Sequence, residues 1–344
     1  MHFCVDAWST SVRAKAQSTT STESLSLFSP SKINLFLRIV RRREDGYHDL
    51  ASLFHVIDLG DSMTFRILAA GAESDQLSCS DPSIPSDHRN LVIKALNLYR
   101  RKTGRTEHFA VTLQKRVPHG AGLGGGSGNA ATTLWAANRL CGSPASDAEL
   151  LAWSGDIGSD ISMFFSNGAA YCTGRGEVVE DVQSPLPLST PILLVKPPVG
   201  LSTPMIFKSL DLARRSVRDP LDLLSSLSER GVIAQELCVN DLEQPAFDNL
   251  PQLAELKSRL IAEGGAQFSA VFMTGSGSTL VCAGSDSPPA FLASQPVRRS
   301  CLSPPARLIT RQPGQWYTHS GMWDESLAGT AGMGAQDERV ALAA

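Results

Sequence analysis

The sequence holds no run approaching the roughly 18 consecutive apolar residues that a membrane-spanning helix requires, so membrane insertion is a poor reading of it. It also lacks an excess of one charge: 31 Lys and Arg stand against 34 Asp and Glu in 344 residues, a net charge of −3. Bulk nucleic-acid binding is a poor reading on that balance. The two basic runs, Arg41-Arg42-Arg43 and Arg100-Arg101-Lys102, carry no interleaved aromatics and read as solvated surface, the second closing a helix where cations suit the macrodipole. The seven cysteines, at 4, 79, 141, 172, 238, 282 and 301, form no C-x-x-C and have no His pair at finger spacing. That odd, unpatterned scatter argues against a disulfide framework or a structural zinc and fits a reducing compartment.

What is present is a chain long enough for two domains, 42% hydrophobic and 19% charged, the mixture of a globular protein. Residues 1–30 contain eleven Ser and Thr but only two acidic and two basic residues. They read as a transit segment or a disordered extension, with order starting at Ser31. From Lys32 to Ile39 the apolar period is two, which sets Ile33, Leu35, Leu37 and Ile39 on one face and Lys32, Asn34 and Phe36 on the other. Strand-like stretches follow at 52–58 and 62–68. A helix over 91–102 is capped by Asn90 and stopped by Gly104, and a second capping box stands at Ser146 to Glu149. The proline-rich stretch at 185–191 marks the expected boundary between a first domain, 31–184, and a second, 192–320, with residues 321–344 as a solvated tail.

The most unusual segment runs from Pro118 through His119, Gly120, Ala121, Gly122, Leu123, Gly124, Gly125, Gly126 and Ser127 to Gly128, between a strand and a helix. Six glycines there let the backbone approach a ligand and aim several N–H groups at one anion, beside the positive end of the following helix. A phosphate is the natural guest, and Gly126→Val is expected to impair its binding by blocking that approach. The Gly-Lys-Ser/Thr ending of a Walker loop is missing. Gly120, Gly122 and Gly125 match G-x-G-x-x-G, but the acidic residue due about 20 positions later falls at a helix start, on Asp147 or Glu149, so a dinucleotide site fails too.

Pro118 to Gly128 followed by Asn129-Ala130-Ala131 resembles the nucleotide loop of the GHMP small-molecule kinases. With Ser29 to Leu37, Asp45-Gly46-Tyr47-His48 and Gly158-Ser159-Asp160-Ile161, the pattern is similar to the 4-diphosphocytidyl-2-C-methyl-D-erythritol kinases, plastid forms above all. The resemblance spans residues 29–284, more faintly to Tyr317. It implies a two-lobed α+β fold with the active site between the lobes, and an ATP- and Mg²⁺-dependent enzyme of the non-mevalonate isoprenoid pathway that phosphorylates the 2-hydroxyl of a small cytidylyl substrate. It also implies import into the plastid stroma and no nucleic-acid or membrane partner.

Residue by residue, the resemblance puts the catalytic pair on Lys32 and Asp160. It puts ATP contacts on the loop from Pro118 to Gly128 and on Gly275, Ser276 and Gly277. Substrate contacts fall on Asn34, Tyr47, His48, Thr203 and Phe207, with Tyr47 and Phe207 on opposite faces of the cytosine. The family usually has Ser at position 128 and Pro at position 162, where this chain has Gly and Ser. The first departure implies one hydroxyl fewer near phosphate and metal, the second a shift of Asp160. Taken alone, Lys32 is an ordinary strand residue and Asp160 an ordinary helix cap; only the joint pattern singles them out. Another kinase of the superfamily and a silent nucleotide-binding sensor on the same scaffold stay open as alternatives.

Overall fold

A computed structural model describes residues 24–292 and 305–319. The transit segment expected at the N-terminus falls, up to residue 23, outside the described residues, as does the tail from 320 onward. Two strands dominate the first lobe: β1 (Ser24–Arg42) and β2 (His48–Ile67) pair antiparallel about the Asp45-Gly46 turn. Strand β1 thus starts seven residues before Ser31. Leu25 and Leu27 pack on the core while Ser24 and Ser26 face out, an alternation that a serine-rich composition hides. A cut after residue 30 would therefore remove structured chain.

The sheet is completed by β3 (Gln76–Cys79), β4 (Phe109–Gln114), β5 (Ala169–Thr173) and β6 (Val178–Val182), in the order β3-β4-β2-β5-β6, with β1 on β2. Helices α1 (Leu91–Thr103), α2 (Gly125–Leu140) and α3 (Asp147–Ser154) lie with it. Both caps read from the sequence form: Asn90 accepts from Val92 N, and Gly104 is left-handed at φ 71°. The Ser146–Glu149 capping box closes reciprocally on α3. The strict period of two in β1 does not survive, because register shifts at Pro30/Ser31, Asn34/Phe36 and Ile39/Arg41 break the alternation. As a result Phe36 joins Ile33 and Leu35 in one buried cluster, which also takes in residues of the second lobe.

That second lobe is a three-stranded sheet of β7 (Ile192–Val195), β8 (Ala270–Met273) and β9 (Leu280–Ala283), in the order β7-β9-β8. Around it lie α4 (Thr203–Lys208), α5 (Pro220–Arg230), α6 (Glu243–Asn249) and α7 (Pro251–Gly264). The end of β1 bonds to it directly, Leu37 N donating to Val239 O at 2.7 Å. Arg38, buried, pairs with Asp241 at 3.0 Å.

Residues 305–319 depart from the expected domain plan. Ala306 exchanges hydrogen bonds with Ile192 at 2.9 and 3.1 Å, and Ile309 N then donates to Val56 O at 3.0 Å, so the segment straps the second sheet to the first. Trp316 and Tyr317 are buried in the first lobe's core. Arg311 donates to the carbonyls of Phe165 and Ser166 and pairs with Asp147 at 3.0 Å, which fastens the short 3₁₀ turn Ser162–Phe165. Chain assigned by sequence to the second domain thus completes the first. Its apolar residues follow no helical or strand period and so gave no sign of burial.

One buried titratable group sets a stability prediction. His55 on β2 is fully buried, with Nδ1 2.9 Å from Val56 O and Nε2 2.8 Å from Ser184 Oγ, whose own hydroxyl donates to Leu186 O. Burial pushes its pKa down to about 4. The unfolded chain, with a pKa near 6.5, binds more protons between those values, so His55's contribution is complete above about pH 6.5 and is lost as pH falls toward 4. The shift corresponds to on the order of 3 kcal/mol across that window. Urea midpoints measured from pH 7 to pH 4 should fall less steeply for His55→Gln than for the wild type; equal slopes would contradict the assignment.

Candidate active site

Loop and strand are joined below the cleft by backbone. Lys32 N donates to Leu123 O at 2.9 Å, and Ala121 and Leu123 turn their side chains into the interlobe core. These two residues hold the loop down while also lining the cleft. Helix α2 begins at Gly125, four residues before the Asn129 start suggested by the sequence, so the N–H groups of Gly125, Gly126 and Ser127 lie in its open first turn. Gly122 and Gly124 are left-handed, at φ 77° and 67°. A Cβ on Gly122 would run into the Thr274 carbonyl and approach Gly277 N to 2.9 Å. The loop therefore meets the turn at Gly275–Gly277 backbone to backbone, along a seam that only glycine permits.

Three expectations are corrected here. Gly126 is neither left-handed nor crowded, a Cβ there meeting only Leu91 Cδ1 at 3.7 Å, so the conformational argument belongs to Gly122 and Gly124. Gly277 lies behind the loop, against Ala121 and Gly122, and does not line the cleft. Gly128 is also off the cleft: its Cβ would point into the Pro30 carbonyl, so a side chain there faces β1 and not a phosphate.

Lys32 lies on this seam, 2% exposed, with its stem packed on Gly124. Its Nζ donates to Asn34 Oδ1 at 2.7 Å and to Gly122 O at 2.9 Å and stands 3.6 Å from Asp160 Oδ2, with the Phe54 ring at 5.0 Å. Burial pulls its pKa below the ordinary lysine value; the Asp160 carboxylate works against that pull. Asp160 is not a helix cap. The cap position of the following 3₁₀ turn is Ile161, and the Asp160 side chain, 39% exposed, opens to the cleft beside Lys32. Ser162, where the resemblance leads us to expect Pro, is buried and shares a 2.9 Å hydrogen bond with Ser154 Oγ, so the turn is pinned without the ring.

Asn34, expected to touch substrate, is 1% exposed and engaged with the protein. Its carbonyl oxygen accepts from Lys32 and from Thr274 Oγ1, and its amide donates to Ser52 Oγ at 2.8 Å. The period of two put Lys32 and Asn34 on one side, and they are indeed bonded; the effect is to aim the lysine.

The cleft has a volume of about 920 Å³, and its far wall carries the aromatic residues. Phe207 on α4 packs on His48 with centroids 5.4 Å apart, and Tyr47, 60% exposed, lies under the Arg175 guanidinium at 5.6 Å. Tyr47 and Phe207, expected on opposite faces of the cytosine, thus each have a neighbour of their own in this wall. Burial, with Arg42 nearby, lowers the His48 pKa, so the ring is neutral at pH 7 and offers one donor and one acceptor. Thr203 bonds to Ser276 Oγ at 2.7 Å, tying α4 to the glycine turn.

A buried group under α2 had no sequence signal. Lys115, which lines the cleft, pairs with fully buried Asp61 and donates to Asn129 Oδ1 at 3.1 Å; Asn129 Nδ2 donates to Asp61 at 2.8 Å. Asp61 also accepts the backbone N–H groups of Arg116 and Val117, anchoring the entry to the glycine loop. Three elements, β2, β4 and α2, meet at that point, and none announces the others in sequence. Among the described residues no cluster of three or more His, Cys, Asp or Glu is placed to hold a metal, and no helix is long and apolar enough to cross a membrane.

Comparison with known proteins gives this geometry its setting. Residues 90–168 match the family model for the GHMP kinases N terminal domain. The 4-diphosphocytidyl-2-C-methyl-D-erythritol kinase, chloroplastic/chromoplastic, of Solanum lycopersicum is 55% identical over 293 residues, 85% of this chain and 73% of its own. The kinase of that name from Protochlamydia amoebophila is 43% identical over 86% of this chain and 93% of its own. A solved 4-(cytidine 5'-diphospho)-2C-methyl-D-erythritol kinase superposes with a TM-score of 0.67 at 29% identity, covering 84% of this chain and all of that one. A homoserine kinase from Cytophaga hutchinsonii, at TM-score 0.62 and 16% identity over 88% of this chain and 99% of its own, shares the fold.

Proposed function

Because the chain belongs to the 4-diphosphocytidyl-2-C-methyl-D-erythritol kinase family of GHMP kinases, we propose that its cleft holds ATP along the glycine seam and the cytidylyl substrate along the aromatic wall, with transfer at Lys32 and Asp160. The protein is a phosphotransferase with an alcohol acceptor, and by its kinship with the chloroplastic enzymes of tomato, rice and Arabidopsis it works in the plastid. A nucleotide lobe ahead of Pro185 and a second lobe after it, closed by the 305–319 strap, are part of this proposal. So is delivery to the stroma by the N-terminal segment.

The observation that carries the reading is the 3.6 Å approach of Lys32 Nζ to a half-open carboxylate, Asp160, at the floor of one cleft shared by the glycine loop and the aromatic wall. Phosphoryl transfer asks mainly for positioning and charge neutralisation. The substrate 2-hydroxyl lies against Asp160, which takes its proton as the oxygen bonds to the γ-phosphorus; the bond from that phosphorus to the bridging oxygen breaks and ADP leaves with the electron pair. Lys32 holds the charge of the phosphoryl in passage. Asn34 and the Gly122 carbonyl keep Nζ there.

Asp160 and Ser127 both line the cleft and offer the hard oxygen donors that Mg²⁺ on nucleotide phosphates accepts. These two residues would help hold the ion on the nucleotide, where it would offset phosphate charge. Product analysis by phosphorus NMR tests the reading. One new phosphomonoester on the methylerythritol moiety should appear per ADP formed, and a phosphate carried elsewhere would overturn it.

The aromatic wall carries substrate identity. Phe207→Ala should raise the KM of the cytidylyl substrate roughly 5- to 150-fold, the range for a lost stacking face of about 1 to 3 kcal/mol, while the ATP KM stays put. Steady-state kinetics with each substrate varied in turn decides it; a change confined to ATP would place Phe207 in the wrong half of the cleft.

A further inference from the structure

Arg175, one of several cations that line the cleft, has no part in the chemistry above. Arg175 stands in the turn between β5 and β6, flanked by left-handed Gly174 at φ 69° and Gly176 at φ 120°. Its backbone N–H donates to Glu177 Oε2 at 2.7 Å, and its Nε lies 3.5 Å from Glu177 Oε1. The guanidinium lies over the Tyr47 ring and lines the cleft together with Ser159 and Asp160. The turn abuts the reacting end as well: a Cβ on Gly176 would stand 3.6 Å from Asp160 Oδ1.

Along the cleft wall the order is therefore aromatic ring, guanidinium, carboxylate. The cytidylyl substrate has the same order: a base, a diphosphate, and the alcohol that receives the phosphoryl group. From this match, which rests on the substrate reading above, we infer that Arg175 holds the substrate's diphosphate. A planar guanidinium whose Nε edge is engaged by Glu177 keeps its terminal nitrogens for phosphate oxygens, and such charge-assisted bonds are the strong ones in a partly closed site. Tyr47 gives the group a flat face to rest on, so little side-chain freedom is lost on binding.

Titration of the full-length protein with cytidine, CMP, CDP and ADP separates the possible roles. Arg175→Ala should weaken CDP about 10- to 100-fold and leave cytidine within about twofold, with ADP unchanged. Arg175→Lys should recover part of the loss, since the charge returns without the fork. Equal weakening of cytidine and CDP would overturn the inference, because the arginine would then merely seat Tyr47. Equal weakening of ADP and CDP would also overturn it, by assigning the group to the ATP phosphates. A wild-type protein that binds neither cytidine nor CDP would instead overturn the substrate reading on which the inference stands.

Discussion

Asp160→Asn is expected to lower kcat about 10²- to 10⁴-fold with the fold intact, the scale of a lost general base. The carboxylate is 39% exposed and its ion-pair contact is the 3.6 Å approach to Lys32, so the amide costs the structure little. Lys32→Ala should cut kcat as deeply, and the double variant should fall far short of the product of the two, since both groups serve one phosphoryl in passage. The lysine also sets a pH signature. Its pKa is lowered by burial, with the Asp160 carboxylate working against the shift, so the cation is lost as pH rises through a value below that of an ordinary lysine. The alkaline limb of kcat/KM should accordingly lie below about pH 10.5 in the wild type and move upward in Lys32→Arg. Turnover by Asp160→Asn near that of the wild type would contradict the role given to it.

Gly122→Val should be the most damaging single change in the nucleotide loop. A β-branched residue at φ 77° is strained by about 1 to 3 kcal/mol before any contact is counted, and its Cβ also drives into the Thr274 carbonyl across the seam. The loop and the Gly275–Gly277 turn must then part, moving the Gly122 carbonyl that holds Lys32 Nζ. ATP affinity should fall at least about tenfold and the melting temperature should drop. Gly126→Ala serves as the control for backbone strain and melting temperature, since Gly126 is not left-handed and a Cβ there makes only an ordinary contact with Leu91 Cδ1 at 3.7 Å. ATP titrations and melting curves of both variants check this; a Gly122→Val protein that binds ATP like the wild type would remove the seam from the account.

Much of this site was legible because its signals are local. Asn90 and Gly104 bracket α1, the Ser146–Glu149 box starts α3, and four short motifs carry Lys32, Tyr47 with His48, the glycine loop and Asp160. What stayed hidden joins distant residues. Gly122 meets Gly277 across the seam, Asp61 meets Lys115 and Asn129 under α2, and the strap reaches from Ala306 to Ile192 and on to Val56. Bulges hid the rest, since period-two reasoning carries each side chain to the opposite face once an extra residue enters β1. Arg175 was missed for a plainer reason: an arginine in a glycine turn looks like surface until Tyr47 and Asp160 are seen on either side of it.

The central claim, one cleft that joins ATP to a cytidylyl alcohol, is tested most directly by its choice of acceptor. The full-length protein with ATP and Mg²⁺ is offered 4-diphosphocytidyl-2-C-methyl-D-erythritol, mevalonate, homoserine or no acceptor, and ADP release is followed in each. ADP should appear stoichiometrically with the cytidylyl substrate and stay near background in the other three. Release with mevalonate or homoserine equal to that with the cytidylyl substrate would contradict the account, as would no release with any of them from a protein that binds ATP.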